Sequence, residues 1–361
     1  MEKAIAAVYT GANKPFEIRE FPVVPAPAGM ARLSLIASGV CGTDVHIHKG
    51  RLAIVPEKII GHEFVGKIED ISPEDSRRSG LNKGDNAIVD IACPCGKCKL
   101  CKSGDDANCV NMGVTNGGDP AQAPYLHGGY ARKTFAPVEN LIKIPEGLDP
   151  TTVCVYACVG STIMHNLALA RQAGCRLEQA DTAVVRGLGP MGTFAVMVLA
   201  AMGIKNVVAI TATPQAERDE AARKLGATEV LTISEGGITQ RISELTGGLG
   251  ADICVEASGA PSAFAMGLEM LRNRGIYLVP GQYSVSGGVP VSPELITFKA
   301  LHIIGSSQYS ICDVESYLDF LKNHPELCRV IRSFATLYKL EDVNTALQDA
   351  AAGKNIKTVL V

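Results

Sequence analysis

Four cysteines stand in one short segment, Cys95-x2-Cys98-x2-Cys101-x7-Cys109. Four thiolates at this spacing are enough to close a tetrahedral all-cysteine zinc site, and a site with every position filled by protein is structural. A bacterial iron–sulfur run shares the first three cysteines but continues x3-C-P, whereas here the fourth spacing is seven and Val110 follows, so zinc is the better reading. A second set of metal-binding residue types is dispersed. It comprises Cys41, Thr43, Asp44 and His46 in one stretch, Gly61-His62-Glu63 in another, and Cys154 with Cys158 in a third. Taken singly, each is an ordinary fragment: a lone cysteine among apolar residues is usually core, and a lone histidine is usually a satisfied one.

The third chemical signal is Gly187-Leu188-Gly189-Pro190-Met191-Gly192, which follows an expected strand and opens an expected helix. In that setting the first glycine permits the tight turn, the second lets a pyrophosphate approach the backbone and the third lets helix pack on strand. The phosphates would sit at the helix N-terminus, on Gly189, Pro190 and Met191. The acidic residue expected at the end of the next strand, for the ribose hydroxyls of NAD, is missing. Thr211, Ala212, Thr213, Pro214 and Gln215 stand there, with Arg218 close by. Small hydroxyl residues and an arginine could accommodate a 2′-phosphate, which leans the cofactor expectation from NAD toward NADP.

Length and composition agree with two domains. The chain has 361 residues, 47% of them hydrophobic and 20% charged, with a formal net charge of -3. That is ample material for buried cores and more than one domain usually holds. A near-neutral chain has no global field for a polyanion, so nucleic acid is not an expected partner. No apolar run reaches the roughly 18 residues a membrane helix needs, and the start shows no basic segment followed by an apolar run, so the expected location is the cytoplasm.

Residues 4–143 read as mostly β. Short apolar runs at 32–36, 65–69, 86–91, 131–136 and 141–144 are cut by Gly and Pro. Residues 69–80 read as a charged loop, and 110–129 as a long Gly/Pro-rich loop of the kind that lines sites. From Asp181 the texture changes to short β-branched runs alternating with Ala- and Leu-rich segments of helical period, the signature of a doubly wound parallel sheet. Its strands are expected at 182–186, 206–211, 229–232, 252–256, 276–279 and 301–304, and its helices at 191–202, 216–225, 238–246 and 262–272. The tail, with helices at 314–323 and 340–351 and a strand at 358–361, does not fit this sheet and is expected to return to the first region.

With these signals in this order, the chain resembles the zinc-containing medium-chain alcohol dehydrogenase family over essentially its whole length. The resemblance implies an α/β architecture: a GroES-like, mostly β catalytic domain over residues 1–159, completed by 306–361, and a Rossmann NAD(P)-binding domain over 160–305, with the active cleft between them. It implies two zinc ions per chain. Cys41, His62 and Cys158 would hold the catalytic one, Glu63 would be the family's displaceable glutamate, and Asp44 would be the carboxylate that orients a ligand histidine. Cys95, Cys98, Cys101 and Cys109 would hold the structural zinc. Cys158, rather than Cys154, sits where the family motif places its ligand, and a cysteine there looks more like the alcohol branch than the polyol branch, which usually carries glutamate.

The implied reaction is hydride transfer between a primary or secondary alcohol and NAD(P). Zinc lowers the pKa of the alcohol, and the proton leaves from the hydroxyl of Thr43 through the cofactor ribose to His46. Gly42 departs from the pattern, because alcohol-branch relatives often place a phosphate-binding arginine there. Lys357 matches a basic phosphate-contact position near the family's C-terminus. Basic groups from His46 to Arg51 raise the further expectation of an anionic substrate, and Tyr125, His127 and Tyr156 are candidates to touch it. A polyol or sugar dehydrogenase is the neighbouring alternative, and a nucleotide-binding structural or sensor protein the alternative from another class. Relatives assemble as dimers or tetramers, commonly through the Rossmann edge strand, which here lies near Leu301.

Overall fold

The computed structural model describes residues 2–281 and 287–361. The chain forms two compact units, Met1–Cys158 together with Tyr309–Val361, and Val159–Gln308.

The first unit is built on a seven-stranded sheet. Its order is Ala335–Tyr338, Lys357–Leu360, Met30–Gly39, Glu63–Ile71, Asn86–Val89 and Leu141–Lys143, with Lys133–Pro137 also pairing on Met30–Gly39. The chain terminus enters this sheet because Val359 and Leu360 pair antiparallel with Gly39 and Ser38. Tail residues Val343, Ala346, Leu347 and Leu360 then share a core with Ala6, Tyr9, Phe16 and Tyr130. The strands alternate as half-buried sheets do, with Ala31 and Leu33 inside and Arg32 and Ser34 partly exposed.

Several elements here depart from expectation. The hairpin strands Lys3–Val8 and Glu17–Pro22 and the helix Gly42–His48 have no strong period of their own. Residues 69–80 are not a loop. The strand runs on to Ile71, and Pro73–Ser79 is helical. Ser72 caps that helix by accepting from Asp75 N, Pro73 occupies a position where its missing N–H costs nothing, and Gly80 ends it at φ 75°. A seven-residue helix with so much charge has no apolar stripe for a sequence pattern to register, but its start and stop signals are both present.

The second unit is a six-stranded parallel sheet in the order Glu229–Thr232, Asn206–Thr211, Thr182–Arg186, Ala251–Glu256, Leu271–Pro280 and His302–Ser306. Chain order therefore reverses between the strands Thr182–Arg186 and Ala251–Glu256, the switch point at which such sheets bind ligands. The central strands are buried throughout, which explains their continuous apolar reading. Helices Pro190–Ala201, Ala216–Lys224, Ile238–Leu245 and Pro261–Met270 provide crossovers.

Candidate active site

Cys41 ends the extended segment that follows Met30–Gly39 and stands as N-cap of the helix Gly42–His48, with φ −94° and ψ 158°. The cap fixes it: Asp44, three residues on, accepts the Cys41 backbone N–H through Oδ2 at 2.9 Å. His62 and Glu63 stand at the start of the neighbouring strand Glu63–Ile71, and Cys158 is the second residue of the helix Ala157–Gln172. One ligand atom from each of Cys41, His62, Glu63 and Cys158 lies within 4.8 Å of the others. Tetrahedral zinc with bonds of about 2.0–2.3 Å sets ligand atoms roughly 3.5 Å apart, so this donor set suits the ion.

Burial and charge reinforce that reading. The Cys158 thiol, set against Cys41, pulls the Cys41 thiol well below its usual range despite burial, with His62 adding to the effect. Burial works against charge on His62, but Asp44 and Cys41 outweigh it and raise its pKa well above the ordinary histidine range. The result is a thiolate beside an imidazolium, a pair whose shared proton a divalent cation would displace. His62 turns Nδ1 toward Asp44 Oδ1 at 3.4 Å, which leaves Nε2 for a metal. Thr43 Oγ1 lies 3.7 Å from Cys41 Sγ. His46 follows on the same helix with a buried Nδ1 that has no hydrogen-bond partner among the described residues, and burial, then Arg51, lower its pKa.

Cys154 does not join this set. It is fully buried, and its Sγ donates to the Glu63 carbonyl oxygen at 3.2 Å. Lys357 requires a correction. It is 2% exposed, and its ammonium is paired with the Glu63 carboxylate, so it is not offered to a phosphate. Burial pushes the Glu63 carboxyl up to about 7 against the pull of Lys357. Gly39 makes the pair possible, because a Cβ there would come within 2.0 Å of Glu63 Oε2 and 3.0 Å of the Lys357 side chain. Tyr156 is fully buried. His48 accounts for part of the basic run, stacking on Phe16 and bonding the Lys14 carbonyl, whereas Lys49 and Arg51 are exposed.

The four-cysteine lobe forms a second cluster, with the sulfurs of Cys95, Cys98, Cys101 and Cys109 within 4.8 Å of one another. Gly96, at φ 68°, turns the chain between the first two, and Cys98 caps a short helix by accepting from Cys101 N. Backbone N–H groups aimed at sulfur favour thiolate, as a zinc site requires. Those of Lys97 and Cys98 bring Cys95 down to about 6.

In the second unit, Gly187 has φ 91°, and a Cβ there would approach Ser258 Cα to 2.7 Å. Gly192 packs so closely that a Cβ would meet the Gly187 carbonyl oxygen at 1.8 Å. Gly189 has open space and is the N-cap of Pro190–Ala201, with Met191 in its first turn. Thr211 ends the second strand with a buried hydroxyl that lacks a hydrogen-bond partner among the described residues, and Thr213 is exposed beyond it. Arg218 donates through Nη1 to the Leu188 carbonyl at 2.9 Å, which folds its guanidinium onto the glycine turn. Two residues outside the sequence reading support that turn. Arg186 and Glu256 end adjacent strands, are almost fully buried and face one another at 3.8 Å, while Glu256 also holds the backbone of Ser258 and Gly259.

Comparison with known proteins places this arrangement. Residues 27–146 match the alcohol dehydrogenase GroES-like domain, and residues 190–323 match the zinc-binding dehydrogenase domain. The chain is 31% identical to 5-exo-hydroxycamphor dehydrogenase of Pseudomonas putida, over 100% of this chain and 99% of that one. The chain belongs to the zinc-containing medium-chain alcohol dehydrogenase family. Sorbitol dehydrogenase of Halalkalibacterium halodurans is 27% identical over 96% of this family member and 95% of its own length. The crystal structure of an alcohol dehydrogenase from Thermotoga maritima matches with a TM-score of 0.90 and 26% identity, covering 100% of this chain and 99% of that one.

Proposed function

We propose that this dehydrogenase oxidises a primary or secondary alcohol to an aldehyde or ketone with NAD(P) at the Cys41, His62 and Cys158 centre. The observation that carries the reading is the convergence of these donors beside the Thr43 hydroxyl, with His46 following on the same helix. When bound, zinc would supply Lewis acidity toward the alcohol oxygen, and the nicotinamide would supply the hydride acceptor. The chain's own residues do the rest. Asp44 orients His62, and Cys41 and Cys158 supply thiolates. Thr43 Oγ1 is placed to accept the alcohol proton while giving up its own, and His46, on the same helix, is the acceptor that passes it toward solvent. Glu63, tied to Lys357, is held as a reserve oxygen donor beside the cluster.

The Cys95, Cys98, Cys101 and Cys109 lobe is assigned to a second, structural zinc. Gly187, Gly189, Pro190, Met191 and Gly192 are assigned to the cofactor pyrophosphate, and Thr211, Thr213 and Arg218 to its adenosine ribose. The missing acid and the placement of Arg218 favour NADP. A polyol or sugar substrate is the second reading, supported by the sorbitol dehydrogenase relative. Among the described residues no helix is long and apolar enough to cross a membrane, and a cytoplasmic homo-oligomer is the proposed setting. The edge strand His302–Ser306, with Ile303 exposed, is the proposed pairing surface.

The test is a panel of neutral alcohols, polyols and anionic hydroxy compounds, followed by absorbance of reduced nicotinamide with NAD and NADP in parallel, alongside zinc analysis. Two zinc ions per chain and turnover that stops on chelation support the proposal. One zinc per chain and no turnover would support the non-catalytic reading instead.

A further inference from the structure

We propose that Tyr130 is a positioning residue for the metal ligand His62, acting through the carboxylate of Asp44. The inference rests on the reading of Cys41, His62 and Cys158 as zinc ligands.

Tyr130 is fully buried, 86 residues along the chain from Asp44, and its hydroxyl donates to Asp44 Oδ2 at 2.9 Å. The same oxygen accepts the Cys41 backbone N–H at 2.9 Å. Two donors on one oxygen fix the plane of the carboxylate, and its other oxygen, Oδ1, then faces His62 Nδ1 at 3.4 Å. Asp44 Oδ1 has no other partner among the described residues. The orientation of His62 thus depends on a carboxylate whose own orientation depends on Tyr130. Because Asp44 and Tyr130 are both fully buried, no solvent stands ready to replace the tyrosine hydroxyl.

Tyr130 also grips the segment that delivers His62. Its backbone N–H bonds the Ile60 carbonyl at 2.9 Å, and the neighbouring Gly129 N–H bonds the Gly61 carbonyl at 3.0 Å. Gly61, at φ 97°, is pressed against the ring so closely that a Cβ would stand 2.5 Å from Tyr130 Cδ1. The ring packs edge-on against Phe16 at 6.0 Å. Ring and backbone hold the chain entering His62, while the hydroxyl sets the carboxylate behind it. Phenylalanine would preserve the first role and remove only the second, so the two can be separated.

Partners that orient a ligand histidine typically contribute about 10–100-fold to metal affinity. The experiment compares zinc affinity of the full-length wild type and Tyr130→Phe by competition with a chromophoric chelator, the four-cysteine lobe acting as internal control. The expected result is about 10-fold or more weaker binding at one site, the lobe unchanged, and an altered visible spectrum when cobalt(II) is loaded at the weakened site. In an Asp44→Asn background, Tyr130→Phe should produce little further loss. Equal affinity in wild type and Tyr130→Phe, or the same loss with and without Asp44, would overturn the role assigned to Tyr130. A lowered melting temperature with both affinities unchanged would overturn it as well, by making the hydroxyl purely structural. A wild type that binds only the lobe zinc would overturn the underlying metal-site reading instead.

Discussion

Replacing Lys357 with methionine tests whether the buried pair behind the cluster is held by mutual neutralisation. The substitution keeps an unbranched chain of similar length and removes the ammonium paired with the Glu63 carboxylate, which lies at 0% exposure. Breaking one side of a buried pair typically costs about 3–5 kcal/mol, far above the 0–1 kcal/mol of an exposed one. Spread over a unit of about 200 residues, that is a melting shift of roughly 6–20 °C. Circular dichroism is the suitable probe, because the chain contains no tryptophan. Glu63→Gln added to Lys357→Met should recover most of the loss, since an amide at that position carries no charge to strand.

The sign of the pH dependence follows from the same geometry. Burial already raises Glu63 to about 7 with the lysine present, and losing Lys357 removes the pull that lowers it. A carboxyl whose folded pKa lies above its unfolded value stabilises most at low pH and loses that stability as pH rises through the folded value. Lys357→Met should therefore be closer to wild type at pH 6 than at pH 9. A cost under about 1 kcal/mol at pH 9 in zinc-replete buffer, with no recovery in the double variant, would refute the reasoning.

Asp90 offers a second linkage test: burial raises its carboxyl from the ordinary 3.8 to about 7, so stability is lost as pH rises across that interval and the loss is complete above it. Asp90→Asn should gain up to about 4 kcal/mol at pH 8 and nothing at pH 4, which paired melts at the two pH values would check. Gly192→Ala would drive a Cβ to 1.8 Å from the Gly187 carbonyl and should abolish nucleotide binding, measured by calorimetry, without removing either zinc. Arg218→Gln should weaken NADP several-fold more than NAD in parallel KM measurements, and equal effects would reject it as the 2′-phosphate residue. Cys98→Ser should lose the lobe zinc and lower the melting temperature before it affects turnover, whereas Cys41→Ser should abolish turnover with the melting curve largely kept.

The strands and helices of the second unit are legible because short β-branched runs and Ala- and Leu-rich segments follow one another, each declaring its type within its own few residues; the six expected strands all overlap the observed ones. The four-cysteine lobe and the glycine turn were legible for a related reason, since their ligands or contacts fall within one short segment. Expectation failed where elements are short and polar, as at Pro73–Ser79, or where packing alone makes them stable, as with the hairpin strands near the start.

By itself, then, the sequence determined the parts whose physics is local: chemical type, spacing, hydrophobic period and the glycine conformations of a tight turn. Tertiary structure alone decided the pairings that span the chain. Lys357 matches a basic phosphate-contact position in the sequence, but the terminal strand pairs with Met30–Gly39 and carries its ammonium inside to Glu63, 294 residues away. Tyr130 carries no signal in the sequence, and only the fold sets its hydroxyl on Asp44. Cys154 and Cys158 differ by one helical turn in sequence, and only the path of the backbone sends one thiol to the Glu63 carbonyl and the other to the cluster. Such contacts leave no period in the chain, because a buried charge or hydroxyl is satisfied by whatever partner the whole fold brings within about 3 Å.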